Sequence, residues 1–150
     1  MIVLDASVII DSLLPKMRDR YKKSSELLET VSKRGIAIHA PMILKIELAS
    51  VLSRKKGANI VRRFVDELIS EIELISEENL VVAAYNLAFE VKGRAVDLYY
   101  ITATKLTGSI LITNDKIMAK NANKCGVEAY YLIEEFDDVL KRIKEISELS

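Results

Sequence analysis

The chain has 150 residues, half of them hydrophobic and 29% charged, which suits one globular domain with a substantial core, so residues 1–150 are read as a single domain. Lysine plus arginine and aspartate plus glutamate number 22 each, so no basic excess announces a nucleic-acid partner by itself. The chain lacks the roughly 18 uninterrupted apolar residues of a membrane helix, its first apolar run is broken at Asp5 and Asp11 with no basic segment before it, and the expectation is a soluble cytoplasmic protein.

Ile2, Val3 and Leu4 are consecutive apolar residues, two of them β-branched, and suit a strand covered on both faces, as in a parallel sheet. Asp5 ends that run, and Ser7 fits the N-cap of a helix from Ser7 to Leu14. A long amphipathic helix is predicted over Lys16 to Lys33, with Gly35 placed for its C-cap. Ile36, Ile38 and Ala40 then make a short strand that stops at Pro41, a residue suited to the first turn of the next helix. His39 is read as a strand-end or loop residue. Met42 to Lys55 and Ala58 to Ser70 read as two helices broken at Gly57, followed by a third strand at Ile72 to Ile75. Ser76 caps a helix that ends near Gly93, and Ala95 to Leu106 is a further helix ended by Gly108. Ser109 to Thr113 is a strand, Asp115 to Lys124 a helix ended by Gly126, Val127 to Ile133 a strand and Phe136 to Ile146 the closing helix. Alternation of this kind calls for a parallel sheet with helices on both faces and right-handed crossovers.

Cys125 and His39 each stand alone in the sequence, which excludes an internal disulfide and a Cys- or His-rich zinc centre, and no Ser-His-Asp arrangement is signalled. The acids carry the chemical interest instead. Asp5 leaves the end of a buried strand, where open α/β sheets bind ligands, although a simple helix cap explains it as well. Asp115, after Ile110 to Ile112, repeats both readings. Capping does not explain Glu47, which shares a helical face with Ile43, Leu44 and Val51, or Asp97, which lies with Tyr100, Ile101 and Thr104 on a helix apolar nearly all round. A buried carboxylate needs a cation, hydrogen bonds, a metal or a proton. Four acids brought together repel, and the usual relief is a hard divalent cation, with Mg²⁺ or Mn²⁺ favoured by all-oxygen ligands. With Asp97 placed among the other three, the metal-free protein is expected to store repulsion between like charges that Asp97→Asn relieves, so that this variant would melt higher than the parent in EDTA. If these four acids hold metal, the rest of the chain has a basic surplus of four, which leaves room for a polyanion.

Four segments, LDASVIID (4–11), PMILKIELASVL (41–52), VDLYYITA (96–103) and LITND (111–115), taken in this order, resemble the PIN domain family. The likeness is greatest to its VapC-type members, the ribonuclease toxins of prokaryotic toxin–antitoxin pairs, and covers Ile2 to Ile133. It implies a three-layer α/β/α sandwich with a central five-stranded parallel sheet, and a Mg²⁺- or Mn²⁺-dependent endoribonuclease. Asp5, Glu47, Asp97 and Asp115 match the family's catalytic and metal-holding acids, with Asp5 and Asp97 foremost as direct ligands. Ser7 and Thr113 match its supporting hydroxyl residues. Some members carry another acid just after the fourth; here Lys116, Ile117 and Met118 follow Asp115, which leaves a second metal open. The resemblance further implies an RNA substrate, a homodimer and a cognate antitoxin.

Arg54, seven residues after Glu47, is placed on the same helix side, where it either holds substrate phosphate or pairs with an acid. Lys55, Lys56, Arg62 and Arg63 either track an RNA backbone or form a solvated face. Two rival readings stand beside the nuclease: a PIN-like module kept for protein binding alone, and a Mg²⁺-dependent phosphoacceptor or phosphatase. The phosphatase pattern wants an acid two residues after the first, where Ser7 stands.

Overall fold

The computed structural model describes all 150 residues. Its centre is a sheet of five short strands, β1 (Ile2–Leu4), β2 (Ile38–Pro41), β3 (Glu73–Ile75), β4 (Ile110–Thr113) and β5 (Ala129–Tyr131). All pair in parallel, in the order β3-β2-β1-β4-β5. Eight helices connect and flank them: α1 (Ala6–Asp11), α2 (Asp19–Lys33), α3 (Ile43–Leu52), α4 (Ala58–Ser70), α5 (Glu77–Leu87), α6 (Ala95–Thr107), α7 (Lys116–Lys124) and α8 (Phe136–Glu148).

Side chains alternate across the strands, so each strand feeds two cores. Ile2, Leu4, Ile110 and Ile112 pack against Leu27 and Val31 of α2 and Val139 and Ile143 of α8. Val3, Ala40, Leu111 and Ala129 face the opposite way, toward Leu44 and Leu48 of α3, Val61 and Val65 of α4, Tyr100 and Ile101 of α6, and Met118 of α7. The result is the three-layer α/β/α sandwich expected of an uninterrupted apolar strand run, because only a sheet covered on both faces can use Ile, Val and Leu at successive positions.

Several element boundaries differ from those read in the sequence. The helix expected from Lys16 begins at Asp19, because Pro15–Met17 form a 3₁₀ turn and Arg18 takes φ 50°, outside the right-handed region. Pro41 is the last residue of β2 rather than the first of a helix, and it pairs only with Ile75 of β3; a residue without an N–H is tolerated at a strand end. His39 lies within β2, buried, with Nδ1 3.5 Å from Glu73. The helix expected to run to Lys55 ends at Leu52, and the one expected to reach Gly93 ends at Leu87. Gly108 closes α6 at φ 63° and turns the chain into β4.

Candidate active site

The chain runs from β1 outward through β2 and β3 on one side of the sheet, then returns to place β4 and β5 on the other. The carboxyl ends of β1 and β4 therefore flank the point where strand order reverses, and crevices form there in open α/β sheets. Asp5 follows β1 directly, and Asp115 follows β4 after one intervening residue, Asn114.

Asp5 is buried and occupies the backbone position before α1, yet its carboxylate makes no capping bond. Its Oδ2 accepts instead from Ser7 Oγ at 2.6 Å and Thr113 Oγ1 at 2.8 Å. Ser7 is thus not the N-cap expected from the sequence: α1 begins at Ala6, and the Ser7 hydroxyl serves Asp5 while accepting from the Asn114 N–H at 3.0 Å. Capping does describe half of Asp115, whose Oδ1 accepts from the N–H groups of Ile117 and Met118 at 2.9 and 3.1 Å. Its other oxygen, Oδ2, lies 3.1 Å from Arg94 Nη2.

Asp97 sits in the first turn of α6, a helix buried on almost every side as it crosses β1, β2 and β4. The same Arg94 Nη2 donates to Asp97 Oδ1 at 3.1 Å, so one cationic nitrogen bridges two of the four acids. Glu47, partly buried on α3, accepts from Tyr100 Oη at 2.7 Å, and Tyr100 lies one turn beyond Asp97 on α6. Burial pushes Glu47 up to about 7; the Tyr100 hydrogen bond opposes this, and the negative charges of Asp5 and Asp97 add to it. Asp5 is raised by burial, against the two hydroxyl bonds and with the charges of Asp97 and Asp115. These effects show the four acids within one electrostatic neighbourhood. The repulsion expected among the four acids is met at Asp97 and Asp115 by the Arg94 guanidinium.

Arg54 forms no ion pair with these acids; it stands two residues beyond the end of α3, and its exposed guanidinium contacts Ser50 Oγ at 3.5 Å. Arg94 and Tyr100 enter the neighbourhood instead. Tyr100 had a signal, its place one turn from Asp97 on an apolar helix; Arg94 had only its three-residue spacing from Asp97, which a surface pair shares. A polar network behind the site was also not foreseen. Asn114 Nδ2 donates to Asp11 at 2.7 Å and Ser24 at 2.9 Å, and Arg20 joins Asp11 at 2.9 Å to the Asn114 carbonyl at 3.0 Å. It ties the β4–α7 junction to α1 and α2.

A wholly parallel five-stranded sheet between helices, with acids at the carboxyl ends of β1 and β4, is an α/β/α sandwich. The profile of the PIN domain matches residues 2–124, and the chain belongs to that family. It is also similar to an uncharacterised KH and PIN-domain containing protein of Methanocaldococcus jannaschii, 27% identical over 137 residues. The match covers 87% of this chain and 20% of that relative, so the chain spans about a fifth of the relative's length.

PIN domains are generally nucleases that use divalent metal ions. The donor set here, four carboxylates with supporting hydroxyls, is all hard oxygen and suits Mg²⁺ or Mn²⁺. Asp5 Oδ1 accepts no protein hydrogen bond, which leaves one oxygen of a desolvated carboxylate for a cation. The residues therefore fit such an ion in chemistry. In the present side-chain arrangement no three of them converge on one point, and Arg94 spans Asp97 and Asp115.

Proposed function

We propose that this chain is a Mg²⁺- or Mn²⁺-dependent endoribonuclease, with Asp5, Glu47, Asp97 and Asp115 as its catalytic and metal-holding set. The observation that carries this reading is the gathering of four acids from β1, α3, α6 and the end of β4, two of them driven up in pKa by burial. Arg94 compensates Asp97 and Asp115, but Asp5 and Glu47 have no ion-pair partner, and a desolvated charge without one costs free energy. A bound divalent ion would supply an activated water, a shield for phosphate charge and support for the departing oxygen. Asp5 and Asp97 would hold it directly, with Asp115 and Glu47 binding directly or through water. Ser7 and Thr113 lock the Asp5 carboxylate in one orientation and act as positioning residues. Lys116, Ile117 and Met118 bring no further acid, so a second ion would be held by fewer carboxylates.

RNA is supported as the substrate by the kind of relative found, because KH modules clamp single-stranded nucleic acid and that protein joins one to a PIN domain. Lys55, Lys56, Arg62 and Arg63 are exposed along α4 and the turn before it, free to follow a phosphate backbone. In this reading residues 1–150 act as one cytoplasmic unit, the homodimeric toxin of a VapBC-type pair, silenced by a cognate antitoxin. The likeness of the four acidic segments to VapC-type toxins supports that role.

The test is incubation of the purified chain with several single-stranded RNAs in Mg²⁺ or Mn²⁺, with and without EDTA, beside an Asp5→Asn control. Cleavage that needs metal and Asp5 is expected. A folded protein that cuts none of them beside an active control nuclease would favour the protein-binding module. Co-purification of the product of the neighbouring reading frame tests the antitoxin.

A further inference from the structure

We propose that Arg94 is an internal competitor of the metal ion and, once displaced, a phosphate-binding residue for the RNA; this rests on the nuclease reading above. Arg94 alone among the basic side chains forms an ion pair with any of the four acids: Lys116 pairs with Glu134 and Arg20 with Asp11. Its Nη2 stands 3.1 Å from both Asp97 Oδ1 and Asp115 Oδ2, so a positive charge already sits between two of the acids that would hold a divalent ion. A divalent ion held at these oxygens would bring a second positive charge within a few ångströms of the guanidinium, and like charges that close disfavour each other. The two cations therefore compete.

The geometry makes displacement of Arg94 inexpensive. The Arg94 side chain is 75% exposed against 4% for Asp97, and it grips Asp97 from the solvent side, Nη2 on Oδ1 at 3.1 Å with a longer Nε contact on Oδ2 at 3.4 Å. Its backbone is settled separately: Arg94 stands before α6 at φ −71°, ψ 150°, its carbonyl accepts from the Leu98 N–H, and its side chain makes no capping bond. Release is therefore a rotation of one exposed side chain, with no helix to move. The freed guanidinium stays tethered three residues from Asp97, at the mouth where a phosphate would approach the acids, and its planar fork matches phosphate oxygens. Arg94 neutralises the acids in the metal-free protein and passes that charge to substrate when metal enters.

Competition has a thermodynamic signature that a structural ion pair lacks, because a metal that must displace Arg94 binds more weakly than one that need not. Titrate RNA-free wild type, Arg94→Gln and Arg94→Lys with Mn²⁺ by calorimetry, then measure KM and kcat on RNA. Arg94→Gln is expected to bind Mn²⁺ at least about five-fold more tightly than wild type, to melt lower in EDTA, and to show a raised KM. Arg94→Lys, which keeps the charge without the fork, is expected to bind Mn²⁺ close to the wild-type affinity while sharing the raised KM. Unchanged or weaker Mn²⁺ binding by Arg94→Gln would overturn the competition, and an unchanged KM in both variants would overturn the phosphate role. A folded wild type that binds no Mn²⁺ at all would instead bring down the metal-dependent nuclease reading beneath it.

Discussion

Asp5 is the residue where the cost of the site is most directly measurable. Its folded pKa is raised, chiefly by burial, so the ionised form is disfavoured in the folded state relative to the unfolded chain. The penalty is absent below the unfolded pKa, near 3.8, and grows as pH rises toward the folded value. Asp5→Asn keeps the shape and an oxygen for Ser7 and Thr113, and is expected to melt higher than wild type in EDTA at pH 7, with the difference closing toward pH 4. Differential scanning calorimetry across pH checks this; an Asn variant that melts lower throughout would make Asp5 a stabilising acid. Asp97→Asn, by contrast, now loses its partner Arg94, and the gain anticipated for it from crowding alone is not expected. Glu47 carries a second pH signal. With its pKa pushed up to about 7, the residue is largely protonated below neutrality and must shed that proton to hold a metal. Mn²⁺ affinity is expected to fall as pH drops from 8 to 6, with proton release near pH 7 visible by calorimetry in buffers of different ionisation enthalpy. Glu47→Gln is expected to remove the part of both that falls near pH 7; a variant whose proton release there is undiminished would place that titration elsewhere.

At the scale of elements, the site is a junction between α6 and α3 pressed onto the sheet. Tyr100 is fully buried and its hydroxyl is the contact that fastens Glu47 of α3 to α6. Burial raises its own pKa, so it stays a neutral donor throughout the physiological range. Tyr100→Phe keeps the ring in the core and removes the donor. It is expected to cost about 1 kcal/mol of stability, the ordinary net worth of one hydrogen bond. Because that bond lowers the Glu47 pKa, its loss should also move the pH dependence of Mn²⁺ binding upward. Denaturant unfolding gives the first quantity and a pH series of titrations the second. A stability loss with an unmoved pH profile would show that Tyr100 supports α6 without tuning Glu47.

For the whole molecule, the surface bears on the proposed homodimer. Apolar residues of α3 and α4 exceed one buried face in the sequence, but the fold spends most of them inside: Leu44, Leu48, Leu52, Val61, Val65 and Ile69 are buried, while Met42, Ile46 and Ile60 remain outside. α5 and the turn after it expose more, Val81, Val82 and Tyr85 on the helix and Phe89 just past its end, the last 77% accessible and set edge-on to Tyr85 at 5.1 Å. A contiguous exposed apolar patch marks an interaction surface more often than a solvated one. The chain is expected to run as a dimer in light scattering, and Phe89→Asp to shift it toward monomer without lowering the melting temperature much, since that side chain supports no core. A wild type monomeric at high concentration would remove the dimer.

What the sequence determined by itself follows from local periodicity. The runs IVL and ILIT require a sheet covered on both faces, the regular return of helical patterns between strands requires parallel crossovers, and four short segments in order identify the PIN family. Burial of Asp97 was readable too, since its helix has no polar face to offer solvent. Boundaries were less readable where a helix ends without a strong stop, as α3 does at Leu52, two residues short of Arg54. Only the tertiary structure could show that the Asp5 carboxylate makes no cap on α1, because the Thr113 hydroxyl that shares its Oδ2 with Ser7 arrives from a strand more than a hundred residues later. It alone could bring Arg94 onto Asp97 and Asp115 together, since Asp97 is one turn away in sequence but Asp115 comes close only when β4 is laid beside β1. Hydrophobic pattern is written along the chain, whereas charge compensation is settled in space, between groups that sequence separation leaves unrelated.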